Sequence, residues 1–282
     1  METLTDWSAL WRELVETRAR GWDSEASVGS QTDRWEARAR DFSEHVKRRW
    51  ARPDSSRDFI CAQLDTIGAN ATVLDIGAGT GAWAALFARR ACRVTAIDSS
   101  PAMIAILQEN LAAQCITNVS IVQGAWPDVT VEPHDFSLCS HAMYGCPDFP
   151  TFIRRMIAST KRMCFLILRA PSLDGIMSEA ARYIWGQPLD SPNFTIAYNI
   201  LLQMGIYPSV LMENTGWWDP KTSQSLDEAL SEMKRHFGLN GNDDHDAFLT
   251  ALLRRRLTWH DGQYVWPRDV RSALVYWTVD PR

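Results

Sequence analysis

The residues best suited to chemistry cluster in one short segment, Thr72–Trp83, which reads TVLDIGAGTGAW. A β-branched, apolar run ends in Asp75. Gly77, Gly79 and Gly81 follow at alternate positions, and an Ala-rich stretch of helical character comes next. Glycines at such a bend allow backbone conformations that other residues resist and let a ligand approach the main chain closely. The helix that follows turns its amide end toward whatever lies over the bend. Gly77, Gly79 and Ala82 also satisfy the relaxed dinucleotide pattern G-x-G-x-x-A. Asp75 separates the readings: an acid two residues ahead of the first glycine repels a pyrophosphate and suits an ammonium. A second acid, Asp98, ends the next apolar run, RVTAID, where a carboxylate can accept both hydroxyls of a ribose. Together the two acids describe a pocket for a nucleoside that carries a cationic amino-acid tail.

S-adenosylmethionine fits that description. VLDIGAGTGAW followed by VTAIDSSPAMIAILQENL resembles the first two motifs of the Rossmann-type (class I) S-adenosylmethionine-dependent methyltransferases. The resemblance covers residues 70–170, and MCFLILRAP is similar to the family's fifth strand. It implies a sheet of order 3-2-1-4-5-7-6 whose seventh strand, here ALVYWTVD, is antiparallel. It also implies a cofactor site. Asp75 would bind the methionine amino group with help from Gly77 main-chain atoms, and Gly79, Thr80 and Gly81 would line the tail and ribose. Asp98 would hold the ribose hydroxyls, with Ser99 and Met103 beside the adenine. Many relatives place Asp after a glycine to accept the adenine amino group. This chain has Gly124, Ala125 and Trp126 there, so recognition should fall to backbone groups near Ala125 and to Trp126. The stretch DRWEARARDF resembles the WDxRAxxF segment of relatives in ubiquinone and menaquinone biosynthesis, and nominates Trp35, with Arg38, to fold over the cofactor. A helix packing its Trp stripe on the core is the competing reading.

Methyl transfer from a sulfonium asks a protein to align the acceptor and exclude water. An acidic acceptor also benefits from a base. The segment SHAMYGCPDFP follows the fourth strand at the carboxyl edge of the sheet, where ligands bind in such folds. Cys139 and Ser140 are expected against the methionine portion. His141 and Tyr144 are the candidates for base or acceptor positioning, His because it titrates near neutrality; a plain loop cap is the alternative for His141. His134 is expected in solvent at the strand's start. No metal is implied.

The elements that must position these residues follow from periodicity. The chain has 282 residues, 46% hydrophobic and 22% charged, with a net charge of −5, enough apolar character for a sizeable core. Residues 1–66 read as a helical cap with apolar stripes such as Leu4, Trp7, Leu10, Trp11, Leu14 and Val15. Residues 67–282 read as a doubly wound α/β domain with a seven-stranded, mostly parallel sheet and insertions at 172–197 and 216–272. Its strands are TVLDIG, RVTAID, VSIVQG, DFSLCS, MCFLIL, SVLMEN and ALVYWTV. Ser100 with Pro101 and Ser225 with Glu228 mark helix starts.

The insertions are expected to form a helical lid. Trp185, Trp217, Trp218, Trp259, Trp266 and Trp277, with Tyr183, Tyr198, Tyr207 and Tyr264, suit an aromatic, conjugated or cationic organic acceptor. A large core using Trp as filler competes with that reading. Glu213 and Asn214 are candidates for polar acceptor contacts. The six cysteines are scattered without a paired motif, the charge balance gives no footprint for nucleic acid, and no apolar run spans a bilayer. The expected protein is cytoplasmic, monomeric or homodimeric, and methylates a small molecule without nucleic-acid or membrane partners. Protein or RNA methylation, non-catalytic binding of S-adenosylmethionine, and nicotinamide chemistry are the alternatives; Asp75 opposes the last.

Overall fold

A computed structural model describes residues 5–23, 33, 35–213 and 220–279 of the chain. Three helices come first: α1 (Trp7–Asp23), α2 (Ala39–Trp50) and α3 (Ser55–Asp65). The Rossmann-like half follows as β1 (Thr72–Ile76), α4 (Ala82–Ala88), β2 (Arg93–Asp98), α5 (Pro101–Ala113), β3 (Val119–Gln123), β4 (His134–Ser140), α6 (Phe149–Ala158) and β5 (Thr160–Pro171). Next come α7 (Ile176–Ile184), α8 (Phe194–Gln203) and β6 (Ser209–Glu213). The chain ends with β7 (Thr222–Ser223), α9 (Leu226–Phe237), α10 (Asp246–Arg256), β8 (Thr258–His260), β9 (Gln263–Val265) and β10 (Val270–Thr278).

Seven strands form one sheet in the order β3-β2-β1-β4-β5-β10-β6. β1 to β5 run parallel, and β10 is antiparallel between β5 and β6. With β10 as the seventh strand, this is the order 3-2-1-4-5-7-6 expected from the sequence. Both faces are covered, because side chains alternate along each strand. Leu166 and Leu168 of β5 face the core beneath Trp11, Phe149 and Ile200. Phe165 and Ile167, one residue out of step, face the core of Ile60, Phe87 and Leu107.

The helix starts follow the expected chemistry. Ser100 Oγ accepts the Met103 N–H ahead of Pro101, and Ser225 Oγ accepts the Glu228 N–H while the Glu228 carboxylate reaches back to the Gln224 N–H. α1 is anchored by Trp11, which is fully buried, stacks on Phe149 at 4.3 Å and donates its indole N–H to the Cys146 carbonyl at 2.8 Å.

The insertions differ from the expected helical lid. They include a three-stranded antiparallel sheet, β7-β9-β8, and α7, α9 and α10 close a core of their own around Met233, Phe237 and Leu253. Trp185 packs edge-on to Phe237 there, and Trp266 is buried with its indole N–H on Ser223 Oγ. Trp277 is buried in β10, and Trp259 lies against Tyr264 in the small sheet. Trp217, Trp218 and Asn214 lie outside the described residues. Glu213 is buried too, and its carboxylate accepts from the Ser55 hydroxyl and the Ser56 N–H, latching the start of α3 to β6. His134 is not in solvent: it is 1% exposed, and its Nε2 lies 2.8 Å from the Thr95 hydroxyl. Burial lowers its pKa. Among the described residues no helix is long and apolar enough to cross a membrane.

Candidate active site

The bend between β1 and α4 is pinned to the end of β2. The Gly77 and Ala78 N–H groups both donate to the Ile97 carbonyl at 2.8 Å, and the Gly79 N–H donates to Asp98 Oδ2 at 2.7 Å. Gly77 has φ +71, and a Cβ there would lie 2.1 Å from that of Ala142. The glycine thus allows the β4 loop to close against the bend.

Over this bend opens a cavity of about 970 Å³. Its cofactor-side wall carries Gly77, Gly79, Asp98, Ser99 and Met103, with Ala125 and Trp126 beyond them. Trp35 and Phe42, 5.1 Å apart, form its roof. Its far end is made by Ser140, His141 and Tyr144 of the β4 loop, Arg169 of β5 and Arg18 of α1. The roof is tied down by Asp33, whose Oδ2 accepts from the Ser100 hydroxyl and the Ala102 N–H at the start of α5.

Several candidates fall elsewhere. Thr80 and Gly81 line a separate groove of about 310 Å³ between α2, α4 and α5. Gly81 packs against Leu107. Cys139 is fully buried in the core. Arg38 precedes α2 as an exposed residue and does not line the cavity. Asp75 lies beneath the floor, 1% exposed. Its carboxylate accepts the Ala84 N–H, and Oδ2 has no partner in the described protein. Burial, reinforced by the charge of Asp98, pushes the Asp75 pKa up to about 7. Burial also raises Asp98, opposed by the N–H bonds from Ser100 and Gly79.

The β4 loop holds a coupled pair. His141 has φ +56, a left-handed conformation that side-chain-bearing residues seldom adopt, and its N–H still reaches the Ile167 carbonyl of β5 at 2.9 Å. Its Nδ1 lies 3.1 Å from the Tyr144 hydroxyl, which accepts the Arg169 N–H at 2.6 Å. Burial pushes the His141 pKa down to about 3, and the charges of Arg49 and Arg169 push the same way. The imidazole is therefore neutral at neutral pH, which of the two expected roles, base or acceptor positioning, favours the second. Burial moves the Tyr144 hydroxyl the other way, above its ordinary range.

Arg18, Arg169 and Phe42 were missed in the sequence. Arg18 had a signal: it falls seven residues after Trp11, on the buried face of α1. Arg169 likewise ends the apolar run MCFLIL.

The site's residues fit the cofactor on three counts. Asp98 lines the cavity, its carboxylate held in place by backbone N–H groups of Gly79, Ser99 and Ser100. An orphaned carboxylate oxygen lies under the bend where a cation would sit. The floor glycine leaves no side chain in the way.

Residues 73–163 match the methyltransferase domain family. The YcgJ protein of Bacillus subtilis superposes with a TM-score of 0.54 at 14% identity, over 81% of this chain and 99% of that one. A proposed methyltransferase of Bacillus halodurans superposes with a TM-score of 0.53 at 17% identity, over 79% and 99%. No curated protein sequence matches the chain significantly. The methyltransferase match falls on the segment that builds the bend, the two acids and the β4 loop, inside a sheet of the expected order, and residues 73–163 form a methyltransferase domain of Rossmann-like fold with S-adenosylmethionine as its cofactor.

Proposed function

We propose that this methyltransferase acts on a small organic molecule, with cofactor and acceptor sharing the one cavity, and that it works as a monomer or homodimer without nucleic-acid or membrane partners. The cavity carries this reading. At about 970 Å³ it lies near the upper end of ligand pockets, which run from roughly 300 to 1,000 Å³. That is room for a cofactor and a modest acceptor, but not for a folded segment of protein. Its walls include Trp126, Phe152 and Tyr144, so an aromatic or conjugated acceptor has ring faces to lie against.

When bound, S-adenosylmethionine supplies a methyl group already activated on a sulfonium. The work of the chain is alignment and exclusion of water. Asp98 accepts from the ribose hydroxyls, and Asp75 provides buried negative charge beneath the ammonium. Trp35 and Phe42 shield the bend from solvent. Trp126, held by its indole N–H on the Phe152 carbonyl at 3.2 Å, borders the adenine. His141 and Tyr144 fix the acceptor's reactive end beside Ser140.

Calorimetry with S-adenosylmethionine and S-adenosylhomocysteine tests the cofactor assignment. Asp98→Ala, verified as folded by its melting curve, should bind both more than tenfold more weakly, a loss of about 1.4 kcal/mol or more. Unchanged affinity would move the ribose elsewhere. Release of S-adenosylhomocysteine in an acceptor screen separates an enzyme of small molecules from a protein that only binds the cofactor.

A further inference from the structure

The Tyr144 hydroxyl sits between two groups that fix the direction of its proton. Ser140 is the last residue of β4 to pair with β5, opposite Ile167, and beyond it the β4 loop takes over that edge of the strand. The His141 backbone N–H reaches the Ile167 carbonyl at 2.9 Å. Two residues further along β5, the Arg169 backbone N–H donates to the Tyr144 oxygen at 2.6 Å. The Arg169 guanidinium turns elsewhere, to the wholly buried carboxylate of Asp190 at 3.6 Å. The Tyr144 oxygen is thus an acceptor toward the strand. Its own proton has one acceptor within reach among the described residues, His141 Nδ1 at 3.1 Å.

A neutral imidazole carries one proton, and an Nδ1 that accepts a hydrogen bond leaves that proton on Nε2. The reverse tautomer fails at the same oxygen. With Nδ1–H and the Arg169 N–H both donating to Tyr144, the phenol proton would have no acceptor among the described residues. The charged ring is opposed by burial, which takes the His141 pKa down to about 3. Nε2 is shut off from solvent and has no partner among the described residues, although His141 lines the cavity. A buried N–H is seldom left so, and one in a cavity wall is completed by what the cavity binds.

We propose that Tyr144 is a positioning residue that fixes His141 as its Nε2–H tautomer, so that His141 gives a hydrogen bond to an oxygen lone pair of the bound ligands and takes no proton from the methyl acceptor. This deepens the reading of the cavity as the site of methyl transfer, and rests on it. The lone pair has two candidate owners: a carbonyl or ionised hydroxyl of the acceptor, or the carboxylate of the cofactor's methionine portion, expected beside Ser140. With the imidazole unavailable as a base, the acceptor suited to this wall arrives already ionised or needs no deprotonation.

The test is long-range proton–nitrogen correlation spectroscopy of the full chain, with isotopically labelled histidine, at neutral pH. The His141 ring is assigned by its loss in His141→Asn or, where that variant does not fold, in His141→Gln. The ligand-free wild type should show a protonated Nε2 and a bare Nδ1, and Tyr144→Phe a mixture of both tautomers, which lost packing alone would not produce. S-adenosylhomocysteine is then added, followed by acetophenone or its hydrocarbon isostere α-methylstyrene. A shift of the Nε2–H signal with S-adenosylhomocysteine, whose affinity falls at least tenfold in His141→Asn, assigns the lone pair to the cofactor's carboxylate. A shift only with acetophenone, bound at least tenfold more tightly than α-methylstyrene, assigns it to the acceptor. A proton on Nδ1, a charged ring, or an Nε2–H signal that neither ligand moves in the saturated complex overturns the proposal. Failure of S-adenosylhomocysteine to bind the wild-type protein sinks the cofactor placement instead, and the ligand-free spectrum still decides the tautomer.

Discussion

Asp75→Asn tests the electrostatics of the floor. The carboxyl is buried, one oxygen is held by the Ala84 N–H, the other has no partner, and its pKa is raised from 3.8 to about 7. Because the folded-state value lies above the unfolded one, the native protein holds a proton that the unfolded chain releases between these two values. This group's contribution to stability therefore falls as pH rises from about 4 to about 7, and is level above that. A shift of roughly three units corresponds to about 4 kcal/mol in full. Between about pH 5 and pH 8 the change is close to 2.5 kcal/mol. Asparagine keeps the acceptor for Ala84 and cannot ionise. The variant should therefore gain on the wild type by roughly 2 kcal/mol over that interval in denaturant unfolding followed by tryptophan fluorescence. Cofactor binding should show the opposite sign. A cation above the bend favours ionised Asp75, so wild-type affinity should rise with pH through 7, with proton release below it. Asp75→Asn should bind more than tenfold more weakly at about pH 8, a loss of at least 1.4 kcal/mol or so, and show little pH dependence. Parallel stability curves for the two proteins from pH 5 to pH 8 would refute the reasoning, because Asp75 would then not be the group titrating there.

Three further outcomes follow from the same geometry. Gly77→Ala sets a Cβ 2.1 Å from that of Ala142 at φ +71, so the β4 loop must move. Calorimetry should show cofactor affinity lowered more than tenfold, and wild-type affinity would show that the bend and loop can separate without harm. His141, held neutral by burial, should contribute no inflection to turnover near pH 6.5. A step there that His141→Asn removes would restore it as a base. In the same series Tyr144→Phe leaves the Arg169 N–H unpaired and should destabilise the protein by about 1–3 kcal/mol in thermal or denaturant unfolding.

The core was legible because its strands are buried on both faces. A run such as MCFLIL is continuous and apolar, and no helical period competes with it. The bend was legible because its glycines and acids answer to local geometry. The small sheet was not. β7 has two residues, β8 and β9 three each, and all of β8 is exposed, so no alternation is long enough to read. The tryptophans left two readings open for a related reason. A Trp-rich insertion can cover a ligand or close its own core, and composition does not tell these apart. Here α7, α9 and α10 pack on one another around Met233 and Phe237, and Trp185 and Trp266 are consumed in that packing.

The cavity's polarity was hidden for a different reason, since it depends on which distant charges meet. The two acids of the glycine turn are close in sequence, whereas Arg18, Arg169 and Asp190 come from α1, β5 and the α7–α8 turn. Each alone reads as a surface residue. Together they give a chamber with carboxylates under one end and guanidiniums at the other.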